Sequence, residues 1–232
     1  MNIAIFGNGR MGKLIAIIAK QRGHIIIATS DNKNPAKAIN LKNVDVAIDF
    51  STPNSAFENI IHAINNNTPI ISGTTNWLEN YDKVKKKCLT SNGAFLYSSN
   101  FSIGMNLLFK LNKKLAHLIK DYDYKSLITE THHLKKLDSP SGTAITLQQD
   151  LKNILSKEIK IKSNRIKDSI GTHKVVFSSE IDDIEIKHTA KSRNGFAIGA
   201  IIAAEWIVDK KGVYSLEAVS YTHLTLPTIY SV

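Results

Sequence analysis

The chain has 232 residues, 43% of them hydrophobic, a formal net charge of +10 and one cysteine, Cys88. That length supports one large domain or two modest ones, and a lone cysteine excludes an internal disulfide framework and fits a reducing compartment. The N-terminal residues run straight into a strand pattern, so no signal peptide or membrane span is expected and the chain is read as cytoplasmic. The lysines are scattered without interleaved aromatic residues, which argues against a nucleic-acid partner and leaves anionic small molecules as the use of the charge.

Residues 2–6 are a short apolar run, followed by Gly7-Asn8-Gly9-Arg10-Met11-Gly12 and a helical pattern through Leu14, Ile15, Ile18 and Ala19. A second apolar run, residues 25–29, closes on Ser30-Asp31-Asn32. Strand, glycine turn, helix, and then an acid at the end of the next strand form the context that a dinucleotide fingerprint requires. Gly7 permits the tight turn, Gly9 lets the backbone approach a pyrophosphate, and Gly12 lets helix and strand pack closely. Asp31 would accept hydrogen bonds from the adenosine ribose, which favours NADH; Lys33 nearby leaves NADPH open.

The alternation continues with strands at 44–50, 69–72 and 94–97 and helices at 53–66 and 78–90. The result is a Rossmann-type, doubly wound parallel sheet, whose ligands bind at the carboxyl ends of the strands. Gly73-Thr74-Thr75 and Ser98-Ser99-Asn100-Phe101 fall at such ends and are expected at the cofactor together with the glycine turn.

After residue 104 the pattern changes. A long amphipathic helix over 105–119 leads to a strand over 124–131, a helix over 144–155, and strands over 173–179 and 184–189, the last with one solvated face. An apolar helix then runs through Trp206 and a short closing segment covers 212–216. The expected architecture is α/β with two domains. Residues 1–103, completed by about 194–219, bind the dinucleotide; residues 104–193 form a smaller α+β domain for substrate and oligomerisation. Hinges are expected near 102–104 and 193–195.

Between the strand over 124–131 and the helix over 144–155 lies Glu130-Thr-His132-His133-Leu-Lys135-Lys136-Leu-Asp138-Ser-Pro140-Ser-Gly142-Thr143-Ala144. Serine and proline suit the first turn of the helix that follows, and its free N–H groups form a carboxylate or phosphate site. Two imidazoles and two ammonium groups beside it point to an anionic substrate that must also receive a proton. No metal site is expected.

This stretch matches E-x-H-H-x-x-K-x-D-x-P-S-G-T-A throughout, and with Gly9–Gly12, Gly73–Thr75, Asn100–Asn106, Gly171-x-His173 and Arg193 it resembles the 4-hydroxy-tetrahydrodipicolinate reductase (dihydrodipicolinate reductase) family. The resemblance covers about residues 2–219. It implies reduction of a cyclic imine dicarboxylate by NADH or NADPH with loss of water, in diaminopimelate and lysine biosynthesis, by a homotetramer. On their own chemistry His132 suits proton donation, and His133, Lys136 and the N–H groups of Gly142 and Thr143 suit a dicarboxylate; the resemblance adds proton donation by Lys136, substrate contacts by His133 and Arg193, and nicotinamide contacts by Gly73, Thr75, Asn100 and Phe101. The glycine turn is one glycine poorer than in some members, and residues 220–232 do not look like the family's ending; if native, their Thr/Leu alternation would add a strand. Two other readings are a homoserine- or aspartate-semialdehyde-type dehydrogenase and a nicotinamide-sensing regulator. The His-His loop argues against the first, the lack of a basic recognition helix against the second.

Overall fold

The structure, a computed structural model, describes residues 1–223, with side chains through residue 219. The chain divides into two compact units, one built from residues 1–102 and 194 onward, the other from Ile103–Arg193.

The first unit alternates β1 (Asn2–Phe6), α1 (Arg10–Gln21), β2 (Ile25–Ser30), β3 (Val46–Asp49), α2 (Pro53–Asn65), β4 (Ile70–Ser72), α3 (Tyr81–Thr90) and β5 (Ala94–Tyr97). The helix expected over 78–90 begins instead as a 3-10 turn, Leu78–Asn80. The central strands are nearly continuous apolar runs because both faces of the sheet are covered: every residue of β3 and β4 is buried. One face packs against α1, the other against α2 and α3.

The second unit contains α4 (Ile103–Ile119), β6 (Lys125–His132), α5 (Gly142–Leu155), β7 (Lys160–Arg165), β8 (Thr172–Ser178) and β9 (Asp183–Thr189). Its mixed sheet has the order β7-β6-β8-β9, with β6 parallel to β7 and antiparallel to β8. Helices α4 and α5 contribute Leu108, Ala116, Leu147 and Leu151 to a core against Ile128, Val175 and Phe177. Strand β7 was not expected. Its sequence, KIKSNR, reads as solvated lysines because it is an edge strand, where charged side chains are tolerated and guard the open edge.

The chain then returns to the first unit. Helix α6 (Asn194–Ile207) buries Ala197, Gly199, Ala200, Ala203 and Ala204, small residues that let it lie close against α1 and the sheet. Strand β10 (Gly212–Ser215) completes a six-stranded sheet of order β10-β5-β4-β3-β1-β2, every pair parallel. The closing segment expected at 212–216 is therefore a strand of the main sheet, followed by α7 (Leu216–His223). Residues 220–223 continue this helix, and the strand considered for the remaining tail falls outside the described residues. Among the described residues no helix is long and apolar enough to cross a membrane.

Candidate active site

From β1 the chain winds to β2 on one side, then returns to place β3 on the other. This reversal is the switch point at which doubly wound sheets hold ligands. A cleft of ≈ 600 Å³ opens there, lined among others by Gly7, Asn8, Gly9, Asp31, Lys33 and Ser51. Gly7 has φ +111°, and a Cβ on it would lie 2.2 Å from the Phe50 carbonyl oxygen. A Cβ on Gly12 would lie 1.9 Å from the Gly7 carbonyl oxygen. The turn therefore needs both glycines. Where a Gly9 Cβ would point there is open space, and no side chain caps α1, so the N–H groups of its first turn at Arg10 and Met11 are available to an anion. These residues fit a dinucleotide pyrophosphate. Gly12→Ala should therefore lose roughly 1–3 kcal/mol of stability through overpacking and weaken NADH binding, as denaturant melts and fluorescence titration would show.

Asp31 stands exposed just past β2 and is held ionised. The backbone N–H groups of Asn34 and Lys33 donate to its carboxylate and lower its pKa. Thr74, just past β4, turns its side chain inward. Its side chain is buried, with Oγ1 donating to Asp49 at 2.7 Å and accepting the Ser51 N–H at 2.9 Å. Gly73 packs on the Phe50 ring, which in turn tilts against Phe101 at 5.5 Å. The Ser98 hydroxyl donates to the Asn100 carbonyl and accepts its N–H, closing the turn after β5. Thr75 and Ser99 are exposed. Residues 73–75 and 98–101 thus surround the carboxyl ends of β4 and β5, and the cleft is lined by the glycine turn, Asp31 and the loop after β3.

The residue that organises this end of the sheet is one that sequence reasoning missed. Asp49, fully buried, accepts from Ser51 and Asn59 at one oxygen and from Ser72 and Thr74 at the other, at 2.6–3.0 Å. Burial pushes its carboxyl up, and those four donors pull it back. A carboxylate in an otherwise apolar run was the available signal.

In the second unit the period-2 alternation of β6 puts Ile128, Glu130 and His132 on its buried face. Ile128 joins the core, while Glu130 (0% exposed) and His132 (8%) turn the end of that face polar. Glu130 Oε2 and His132 Nδ1 are in direct contact. Arg165, on the overlooked strand β7, donates from Nη1 to Glu130 Oε1 at 3.0 Å. Burial works to raise the Glu130 pKa, but donors from Ser163 and Arg165 and the charges nearby hold it below the ordinary value. Burial lowers the His132 pKa, Glu130 counteracts it, and Lys136 and Arg165 lower it further. On β8, His173 packs edge-on to His132 with ring centroids 5.0 Å apart, and burial among cationic neighbours pushes its pKa down to about 3. Its Nε2 lies 3.3 Å from the Ser141 hydroxyl, which caps α5 by accepting the Ala144 N–H. Glu130, His132 and His173 bring three ligand-type atoms within 4.8 Å of one another. Within that group, Glu130 is paired with the Arg165 guanidinium.

Lys136 pairs with Asp138 at 2.8 Å. Desolvation acts to raise the Asp138 pKa, but Lys136 and the Gly142 N–H hold it low, so an internal carboxylate sits at the α5 N-terminus. His133 is half-buried next to His132, and Arg193 is exposed in the connection from β9 to α6, outside this cluster.

A dinucleotide turn in one unit and a buried carboxylate–imidazole pair beside cations in the other define a two-unit oxidoreductase built on a nicotinamide-binding Rossmann fold. Profiles of the N-terminal and C-terminal parts of dihydrodipicolinate reductase match residues 1–101 and 104–219, and the chain belongs to that family. It is 47% identical over 232 residues to the 4-hydroxy-tetrahydrodipicolinate reductase of Christiangramia forsetii, covering 94% of this chain and 97% of that one. With the enzyme of the same name from Thermosipho africanus it shares 39% over 219 residues, 94% and 96% of the two chains. Its fold matches dipicolinate-bound dihydrodipicolinate reductase from Paenisporosarcina sp. TG-14 with a TM-score of 0.77 at 24% identity, covering 94% and 98%.

Proposed function

We propose that the chain reduces 4-hydroxy-tetrahydrodipicolinate to tetrahydrodipicolinate, using NADH or NADPH, with His132 as proton donor. The observation that carries this reading is the ionised Glu130 against the buried His132 imidazole, a few residues from Lys136 and the N-terminus of α5. Loss of water from the substrate leaves a conjugated cyclic imine, and a bound nicotinamide supplies the hydride that reduces it. The electron-rich enamine that results needs one proton at carbon, which the His132 imidazolium gives up, returning to neutral imidazole. Lys136 and His133 offset the substrate's carboxylate charge, and the first-turn backbone of α5 at Gly142 and Thr143 receives a carboxylate in place of Asp138. Lys136 also stands close enough to share the acid role. Arg193 is a further substrate contact, and residues 73–75 and 98–101 flank the nicotinamide. We read the enzyme as cytoplasmic and homotetrameric by family analogy.

The decisive experiment is NADH consumption by the pure protein with and without the imine substrate. Consumption that requires the substrate supports the reductase; tight NADH binding without turnover overturns the reading.

The ionised Asp31 and Lys33 in one cleft argue for NADH with NADPH tolerated. Asp31→Ala should raise KM for NADH on the order of 10-fold, the scale of one hydrogen bond to a charged group, and leave KM for NADPH equal or lower. Equal losses with both cofactors would remove Asp31 from the ribose.

A further inference from the structure

We propose that Glu130, anchored by Arg165, is the positioning residue of the acid site: it accepts the Nδ1–H of His132, fixing one tautomer and presenting Nε2 as the proton-transfer edge. The inference rests on the reading of His132 as proton donor and adds what that reading lacks, a reason for this imidazole to be held in one orientation.

Three features carry it. Glu130 and His132 are two residues apart on one strand, so their side chains project from the same face and meet without any loop having to order. A fully buried carboxylate is costly unless paired, and its partner is specific. Arg165 reaches Glu130 Oε1 with Nη1 at 3.0 Å, while its Nη2 donates to the Asp138 carbonyl at 2.6 Å. One guanidinium thus ties the carboxylate to the loop that carries Lys136. Arg165 holds Oε1 and Ser163 also donates to the carboxylate, while Oε2 contacts His132 Nδ1.

A side chain at position 171 would begin 3.2 Å from His132 Nε2, and Gly171 has none. The His173 ring fixes the remaining side of His132 edge-on and is itself tied to Ser141, the cap of the helix whose first turn receives the substrate carboxylate. The charged and titratable groups facing His132 are Glu130 from β6, Lys136 from the loop, Arg165 from β7 and His173 from β8, with His188 of β9 beyond His173. Only Glu130 favours the imidazolium. It stays a carboxylate throughout, and the proton leaving Nε2 is replaced from solvent after each turnover.

A merely structural ion pair would contribute to folding and leave the chemistry untouched, so the test reads both. Nitrogen NMR of the wild-type protein, with His132 assigned by comparison with His132→Gln, should show the Nδ1–H tautomer; the Nε2–H tautomer overturns the proposal without any variant at Glu130. In Glu130→Gln, kcat should fall on the order of 10- to 100-fold, the scale for losing a carboxylate that orients a functional histidine, with KM for NADH unchanged. The descending limb of kcat/KM should also move to lower pH, because the one group favouring the imidazolium is gone. Glu130→Asp, which keeps the charge, should hold that limb near its wild-type position. If Glu130→Gln is folded and keeps wild-type kcat and pH profile while His132→Gln is inactive, the positioning role fails and the acid stands. If His132→Gln retains full activity, the reading of His132 itself fails.

Discussion

His132→Gln is expected to lower kcat by roughly 10²–10⁴-fold, the usual contribution of a positioned general acid, with NADH affinity retained because the cofactor turn lies in the other unit. Lys136→Met should also lower kcat and, in addition, raise KM, since on the proposed reading Lys136 serves the substrate carboxylate as well as the proton transfer. Burial, Lys136 and Arg165 outweigh Glu130 and leave the His132 pKa below its ordinary value of 6.5. A donor must carry its proton, so kcat/KM falls as pH rises through that lowered pKa and is fully present below it. A dianionic substrate favours the imidazolium, so the corresponding limb of kcat lies at higher pH than that of kcat/KM. Coincident limbs in the two profiles, or a His132→Gln profile unchanged from wild type, would remove His132 from the proton transfer.

The largest expected effect away from the chemistry is at Asp49. Asp49→Ala removes the acceptor for four buried or half-buried donors at once, from Ser51, Asn59, Ser72 and Thr74. Stranded buried donors cost about 1–3 kcal/mol each where they find no substitute; the hydroxyls can rotate, so a total of roughly 3–5 kcal/mol is expected, at the upper end for a single substitution. Denaturant midpoints give that number. The functional consequence is separate. Asp49 joins the loop after β3, which lines the cleft, to the loop after β4, so NADH affinity should fall even where the variant remains folded. A variant that unfolds early yet binds NADH normally while folded would confine Asp49 to stability.

Much of this architecture is legible in the sequence. The strand–glycine–helix opening, the acid closing β2, and the regular return of apolar runs are local signals with local causes, and the first five strands lie within a residue or two of expectation. The loop from Glu130 to Ala144 was equally legible, because a turn rich in serine, proline and glycine before a helical pattern has few other uses. Side-chain direction was not legible. Thr74 and Phe101 stand at the expected strand ends, yet the Thr74 hydroxyl and the Phe101 ring are committed to the interior. Strand β7 was hidden by its own composition, because an edge strand with lysines lacks the apolar signature of its buried neighbours. The clue available was Ile159 and Ile161 alternating with Lys160 and Lys162.

The sequence by itself determined the element types, the glycine turn and the family, since these depend on patterns within a dozen residues. Only the tertiary structure decided which charges meet. Arg165 lies 35 positions from Glu130, and the Ser72 and Thr74 hydroxyls lie 23 and 25 positions from Asp49. Strand register brings Arg165 and Ser72 to their carboxylates and the loop after β4 brings Thr74, and no local propensity records it. A buried carboxylate must be paired, but which partner satisfies it is set by the strand that folds alongside.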